Sequence, residues 1–295
     1  MSKYTFKEFQ AAYPDDASCL ARIMVERHGG TTLFCPGCGA ESRFHAMTKR
    51  RAYACQNCGH HIYPCAGTIF EKSRTNLTKW FHAMYLMTST RNGVAAKEIE
   101  RQLGVTYKCA WRMAHELRKL MAAGDDHGPL SGHVEIDETI VGGYQSRLDR
   151  RHKGTNKSIV IGIVERNDGK LRAGVIPDAT SATLAKVISD NIAPGSIIST
   201  DEYSGYAMLH TSPYTHGTVH HKNEVWVNGI HHTNTLEGHW SHFKKAIAST
   251  HIHVSAKHLW KYVAEFSYRR NMRHSHATMF DHLLVSVSRP RLQDA

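Results

Sequence analysis

A multidomain chain of mixed α+β and α/β class is what the sequence predicts, with a small cysteine-rich ribbon, a helical segment and a larger mixed-sheet domain carrying C-terminal helices. Three observations predict it: two C-x-x-C pairs between residues 35 and 58, helical periodicity from about 75 to 121, and strand patterns that begin at His133 after the turn-rich AAGDDHGPLSG. At 295 residues the chain exceeds the usual size of one domain. The expected boundaries are an N-terminal helical segment over 1–30, a ribbon over 31–66, a helix-turn-helix domain over 67–124 and a sheet domain over 131–295.

In the first segment, Asp15 or Asp16 can cap a helix in which Leu20, Ile23, Met24 and Arg27 recur at helical spacing, and Gly29-Gly30 stops it. The ribbon follows as short strand-like pieces, RFHAM, AYACQ and HHIYP, too small to hold together by an apolar core alone. Cys35-Pro-Gly-Cys38 and Cys55-Gln-Asn-Cys58, with sixteen residues between the pairs, have the spacing of a four-cysteine structural zinc site. Gly37, Gly39 and Gly59 supply the tight turns that aim the sulfurs inward. Cys65, His60 and His61 are alternative ligands, whereas Cys19 and Cys109 fall at helix-packing positions. A redox role for a C-x-x-C pair would need a βαβ unit beside it, and none is legible.

Between 93 and 121, Ala95, Ala96, Ile99 and Leu103 mark one helix and Gly104 a turn. Ala110, Met113, Ala114, Leu117, Leu120 and Met121 mark a second helix. The other face of that second helix presents Lys108, Arg112, His115 and Lys119, residues suited to phosphates or base edges in a major groove. A plain helical hairpin with a solvated face is the competing expectation.

The third region predicts strands at 133–141, 158–166 and 170–177, a helix at 181–192 and a strand at 196–201, with a short strand near 218–221 and helices at 233–249 and 255–272. Short turns such as Asn167-Asp168-Gly169 imply an antiparallel meander, after which the helix carries the chain to a parallel neighbour. The sheet is therefore mixed.

Thirty-seven Lys and Arg against 26 Asp and Glu leave a formal net charge of +11, which favours a polyanionic partner, nucleic acid before an anionic surface. The chain opens without an apolar leader, and its longest aliphatic run, SIVIGIV, is far too short to span a bilayer, so a cytoplasmic, nucleoid-associated protein is expected. Paired cysteines in a reducing compartment read as metal ligands rather than disulfides. No internal repeat or low-complexity tract is visible.

Three acidic residues carry the chemistry. Asp137 ends the apolar HVEID and Asp201 ends SIISTD, each placed to face a cleft at a strand end. Glu237 lies in the helical TNTLEGHWSHFKKAI, 35 residues after Asp201 and seven before Lys244. Carboxylates converging there could hold two divalent ions roughly 4 Å apart, the arrangement that activates an attacking oxygen and stabilises the leaving oxygen of a phosphodiester. Glu138 and Glu202 are expected to point to the other face. In the helix, Leu236, Trp240, Phe243 and Ile247 form the buried stripe while Glu237 and Lys244 share a neighbouring face. Basic residues bracket the acids as phosphate clamps: Arg147, Arg150, Arg151, Lys153 and Lys157 after the first strand, then Lys244, Lys245, Lys257, Lys261, Arg269, Arg270 and Arg273. Of the 23 histidines, His220, His221, His231 and His232 cluster just before the helix.

With these residues in view, the chain resembles the DDE transposases of bacterial insertion sequences that carry an N-terminal zinc ribbon. The similarity runs over nearly the whole chain: the ribbon cysteines, the junction GTIFEKSRTNLTKWFHAMYLM, the helix-turn-helix segment, IDETIVGG, TDEYSGY, and NTLEGHWSHFKKAI followed by HLWKYVAEFSYRRNMR. The resemblance implies a ribonuclease-H-like catalytic core, Mg2+ or Mn2+ dependence, binding to terminal inverted repeats of double-stranded DNA, cleavage followed by strand transfer, and a dimer or larger assembly that pairs two ends. It places Asp137 and Asp201 as the first two carboxylates. Asn234 is the competitor for the third position, because some members use asparagine there, but Glu237 is preferred: its interval to Asp201 and its spacing to Lys244 match the general pattern, whereas Asn234 is a neutral, weaker ligand one turn earlier that could cap the helix. A purely hydrolytic nuclease of the same fold and a DNA-binding regulator with an inactive core are the rival functions.

Overall fold

In a computed structural model of the chain, the described residues are 5–124, 128–142, 157–289 and 292. They fall into two compact units, one built from the N-terminal 124 residues together with 274–295, the other from 125–273.

The first unit begins with two capped helices. Thr5 and Glu8 form a reciprocal capping box on α1 (Phe6–Ala12), and Asp15 with Ser18 forms one on α2 (Asp16–His28), which ends on a left-handed Gly29. The antiparallel strands β1 (Thr32–Cys35), β2 (Ala40–Ala46), β3 (Tyr53–Cys55) and β4 (His61–Ile62) follow in sequential order. Three further helices complete the run to Gly124: α3 (Leu77–Ser89), α4 (Ala96–Leu103) and α5 (Tyr107–Gly124). The segments expected as separate domains are tied together by Asp16, whose carboxylate accepts from the Thr78 amide at 2.9 Å and from Arg51 at 3.2 Å.

The end of the chain departs from expectation. The sheet domain is expected to run to the last residue, but residues after Arg273 cluster with the first unit. The reason is aromatic packing: Phe280, buried on α9 (Met279–Val285), meets Phe9 edge-on at 5.7 Å and Phe81 at 6.1 Å.

The second unit is a five-stranded mixed sheet. Its strands are β5 (His133–Gly142), β6 (Lys157–Glu165), β7 (Leu171–Ile176), β8 (Ile197–Thr200) and β9 (Thr215–Thr218), in the order β7-β6-β5-β8-β9. β5, β6 and β7 pair antiparallel, and after α6 (Ser181–Asn191) β8 joins β5 in parallel. β9 lies three residues earlier than the expected 218–221, because it takes its register from β8, Ile197 opposite Thr215. Two apolar layers sandwich the sheet. On one face Val141, Val160 and Val164 pack with Leu236, Trp240 and Phe243 of α7 (Asn234–Ala246) and with Leu259, Val263 and Phe266 of α8 (Ala256–Asn271). On the other, Val134, Ile136, Ile161 and Ile198 pack with Leu184 and Ile188 of α6 and with Tyr206.

Asp137 is not at a strand end. β5 continues five residues past it to Gly142, held by β6, with Asp137 directly opposite Gly162. What ends there is the neighbour: the β5–β8 pairing stops at Glu135 opposite Ser199, and Asp201 follows the last residue of β8. The two aspartates therefore flank the C-terminal end of the parallel pair, where an open α/β sheet leaves a crevice.

Candidate active site

The cysteine quartet assembles as its spacing predicts. Cys35 and Cys55 end β1 and β3, and Cys38 and Cys58 follow in turns closed by left-handed Gly39 and Gly59, conformations that glycine adopts without steric cost. The Sγ atoms of Cys35 and Cys58 lie 3.7 Å apart and those of Cys38 and Cys55 4.0 Å apart. Four sulfurs at about 2.3 Å from a tetrahedral zinc would be about 3.8 Å from one another, so the residues fit the ion. Cys65 is buried outside the quartet, and burial pushes its thiol up to about 11.

The carboxylates come together more loosely. Asp137 shares the α7-facing side of β5 with Glu135, two residues before it, and helix α7 crosses at its level. Burial and then repulsion from Glu138, Asp201 and Glu237 push its carboxyl up to about 7, so Asp137 feels the charge of three neighbouring acids. Among the described residues only the cysteines have every ligand atom within 4.8 Å. Carboxylates arranged around two ions about 4 Å apart need a wider ring than those around one. Burial and neighbouring negative charge disfavour the ionised form of Asp137, a cost that a bound divalent cation relieves, so these residues fit that group.

Each acid has a distinct support. Asp201 accepts from the Tyr203 amide at 3.0 Å, and the Thr200 hydroxyl before it bonds the His216 ring at 2.9 Å. Glu237, half-exposed in the first turns of α7, accepts from the Thr233 hydroxyl at 3.1 Å and lies 3.3 Å from Nε2 of His221. The His221 ring lies against the exposed indole of Trp226, 4.8 Å between centroids and tilted by 44°. Asn234 is exposed and is the first residue of α7; the cap position belongs to Thr233, so Asn234 does not serve as the expected N-cap.

Alternation does send Glu138 to the α6 face, as expected, yet it remains part of the charge cluster. It accepts from the buried Tyr206 hydroxyl at 2.5 Å, and burial together with the Asp201 charge pushes it up to about 7. Glu202 turns away and accepts from the amides of His221 and Lys222 at 2.7 and 3.2 Å.

Two residues escaped the sequence reading altogether. Glu135, fully buried, accepts from the Thr235 amide at 3.0 Å, the Thr235 hydroxyl at 2.7 Å and Nε of Arg166 at 2.7 Å. Arg166 also donates to the carbonyl of Ile230 and, at 2.8 Å, to that of His232. A signal existed: in HVEID an acid at position 135 occupies the same inward face as Asp137, where an unpaired carboxylate would be costly.

The basic residues divide. Lys108, Lys244 and Lys245 are exposed, and Arg112 is half-buried, its guanidinium 5.3 Å over the Trp80 ring. Lys119 is not on a solvated face: it is 5% exposed and pairs with Glu116 at 3.3 Å. His115 is buried as well, because α5 is enclosed on every side from Met113 to Met121. Lys261 is buried, Arg269 is buried against Glu265 at 2.7 Å, and Arg273 donates to the carbonyls of Gly169 and Asp168. Arg147, Arg150, Arg151 and Lys153 lie outside the described residues. Among the described residues no helix is long and apolar enough to cross a membrane.

Residues 129–271 match the ISXO2-like transposase domain, and residues 14–61 match the transposase zinc-ribbon domain. Over 269 residues the chain is 28% identical to a Halobacterium salinarum protein described as an uncharacterized protein in transposable element ISH50, covering 85% of this chain and 90% of that protein. A Haemophilus influenzae uncharacterized transposase-like protein is 28% identical over 107 residues, 35% of this chain and 81% of its own length. Among solved structures, a chain of the simian T-cell lymphotropic virus intasome in complex with PP2A regulatory subunit B56 gamma aligns at 15% identity and a TM-score of 0.31, covering 57% of this chain and 63% of that one.

Proposed function

Because the chain belongs to the ISXO2-like transposases and carries their zinc ribbon, we propose that it is a DNA transposase whose Asp137, Asp201 and Glu237 form the metal-binding triad of a ribonuclease-H-like core. The observation that supports this reading is geometric: Asp137 and Asp201 lie just past the end of the β5–β8 pairing, and α7, which bears Glu237, packs on the same face of the sheet, so that burial and then the charges of Glu138, Asp201 and Glu237 raise the Asp137 carboxyl. Two divalent ions, Mg2+ or Mn2+, would supply Lewis-acid polarisation of the phosphodiester and a water nucleophile ionised at neutral pH.

The chain's own residues then have separate tasks. Asp137, rigid within β5, and Asp201, fixed by its turn to Tyr203, provide a stationary pair of oxygens on the sheet. Glu237 closes the ring from α7, oriented by the Thr233 hydroxyl and by His221. Its competitor Asn234 is a neutral, weaker ligand one turn earlier. Lys244, seven residues along the same helix and exposed, is placed to meet the phosphate backbone, with Lys245 beside it. The exposed indole of Trp226 adds a π-face on which a base can stack. Lys108 and Arg112 on α5 form the remaining described basic contact set, in a helix-turn-helix that reads the element's terminal inverted repeats. Zinc in the ribbon is structural. The reaction is hydrolysis at an element end followed by attack of the freed 3′-OH on target DNA, in an assembly of at least two copies that pairs two ends.

The test is cleavage and joining of duplexes bearing the element's own ends, with Mg2+ or Mn2+. Asp201→Ala is expected to abolish both products. Full metal-dependent cleavage by that variant would remove the assignment, and cleavage by the unmodified protein with no joined product under either metal would make it a nuclease.

A further inference from the structure

The route along the chain from Asp137 to Glu237 is 100 residues long, yet a much shorter one runs through hydrogen bonds. Two residues along one face of β5 lead from Asp137 to Glu135, about 6.7 Å away. The Glu135 carboxylate grips both the amide and the hydroxyl of Thr235, and two residues of helix lead from Thr235 to Glu237. The carboxylate sits at the N-terminus of α7, where free amides and the helix dipole favour a negative charge. Arg166 completes the tie. Its Nε pairs with the same carboxylate, and its other nitrogens hold the carbonyls of Ile230 and His232 in the segment leading into the helix.

Packing alone does not account for a fully buried carboxylate here, since apolar residues of similar volume usually hold a core as well or better than a buried ion pair. What the pair adds is direction: three bonds from one carboxylate fix where α7 starts relative to β5.

We propose that Glu135, held by Arg166, is a positioning residue that sets the gap between Asp137 and Glu237 before any metal binds, a role that presupposes the metal-binding triad proposed above. It touches neither substrate nor metal. Its effect appears in metal affinity and in the order of the first turn of α7, not only in cleavage.

The test compares full-length protein with Glu135→Gln, which removes the charge paired to Arg166, and Thr235→Val, which removes only the hydroxyl donor and keeps the fold if Glu135→Gln does not. Asp201→Ala is the control. Mn2+ binding is followed by electron paramagnetic resonance of the free ion, backbone exchange over 233–240 by hydrogen–deuterium mass spectrometry on metal-free protein, and folding by circular dichroism. The expected result is Asp201-dependent Mn2+ binding that weakens by about 10- to 100-fold in both variants, with faster exchange over 233–240 and an unchanged dichroism spectrum. Unchanged Mn2+ affinity with only a lower melting temperature would overturn the positioning role and leave the triad standing. Mn2+ binding that survives Asp201→Ala would remove the triad itself, and the positioning role with it.

Discussion

Gly162 stands directly across the β5–β6 ladder from Asp137, and the space its side chain would take is filled by Trp240 of α7. A Cβ at Gly162 would lie 2.5 Å from Cζ2 of Trp240 and 2.9 Å from Cδ2 of Leu236. The close approach of helix to sheet at this one rung is what brings the Glu237-bearing helix to the level of the buried aspartate. Gly162→Ala is therefore expected to lower stability by about 1–3 kcal/mol through overpacking, and to lower metal-dependent end cleavage further than the stability loss explains. Adding Trp240→Phe, which removes the nearer ring, should restore part of both. Denaturant titrations and cleavage rates of the two single variants and the double variant measure the coupling.

The zinc ribbon makes a separate prediction. Unmodified protein should carry one zinc per chain and Cys38→Ser none, by elemental analysis after gel filtration, because three thiolates leave a tetrahedral structural site open. Limited proteolysis should then cut within residues 31–66, since four short strands with few buried apolar residues lack a core of their own.

Two lysines of one helix should behave oppositely. Lys108→Ala, on the exposed part of α5, is expected to leave the melting temperature nearly unchanged and to reduce the salt dependence of DNA binding by about one ion. Lys119→Ala should lower stability by about 1–3 kcal/mol, because it strips a partner from the buried Glu116, while the folded fraction keeps its DNA affinity and salt slope. Melting curves together with binding isotherms at several salt concentrations separate the two.

His216 gives a stability term with a definite sign in pH. Burial, then the charges of His210 and His231, hold its ring down at about 4, below its ordinary value of 6.5. Between those values the unfolded chain takes up a proton that the folded one refuses, so acid favours unfolding. Stability from this group is complete above about pH 6.5 and is lost as pH falls towards 4. His133, held down to about 4 chiefly by burial and by Arg166, acts in the same direction. His216→Gln, whose amide can still meet the Thr200 hydroxyl, is expected to flatten the fall in melting temperature between pH 7 and 5; an identical pH profile would contradict the assignment.

Local patterns in the chain were enough for the elements themselves. The Asp15 cap and Gly29 stop, the two C-x-x-C knuckles, the meander through Asn167-Asp168-Gly169 and the Leu236-Trp240-Phe243-Ile247 stripe all lie where periodicity and turn chemistry put them, because each depends on neighbours within a few positions. Lys119 and Arg269 depart from expectation for the opposite reason. A charged residue off the apolar stripe looks solvated until a second surface covers it, and nothing near it in sequence announces that surface.

By itself, then, the sequence determined the zinc quartet and the order of the main strands and helices of the sheet domain, and it offered Asp137, Asp201 and Glu237 as candidates, since these follow from spacing and local chemistry. Only the tertiary structure decided how the strands and the helix that bear those acids are held together. The β5–β8 pairing ends just before Asp137 and Asp201, Gly162 admits α7, and Glu135 ties that helix to the strand, contacts between residues up to 100 positions apart whose register and burial no local pattern encodes.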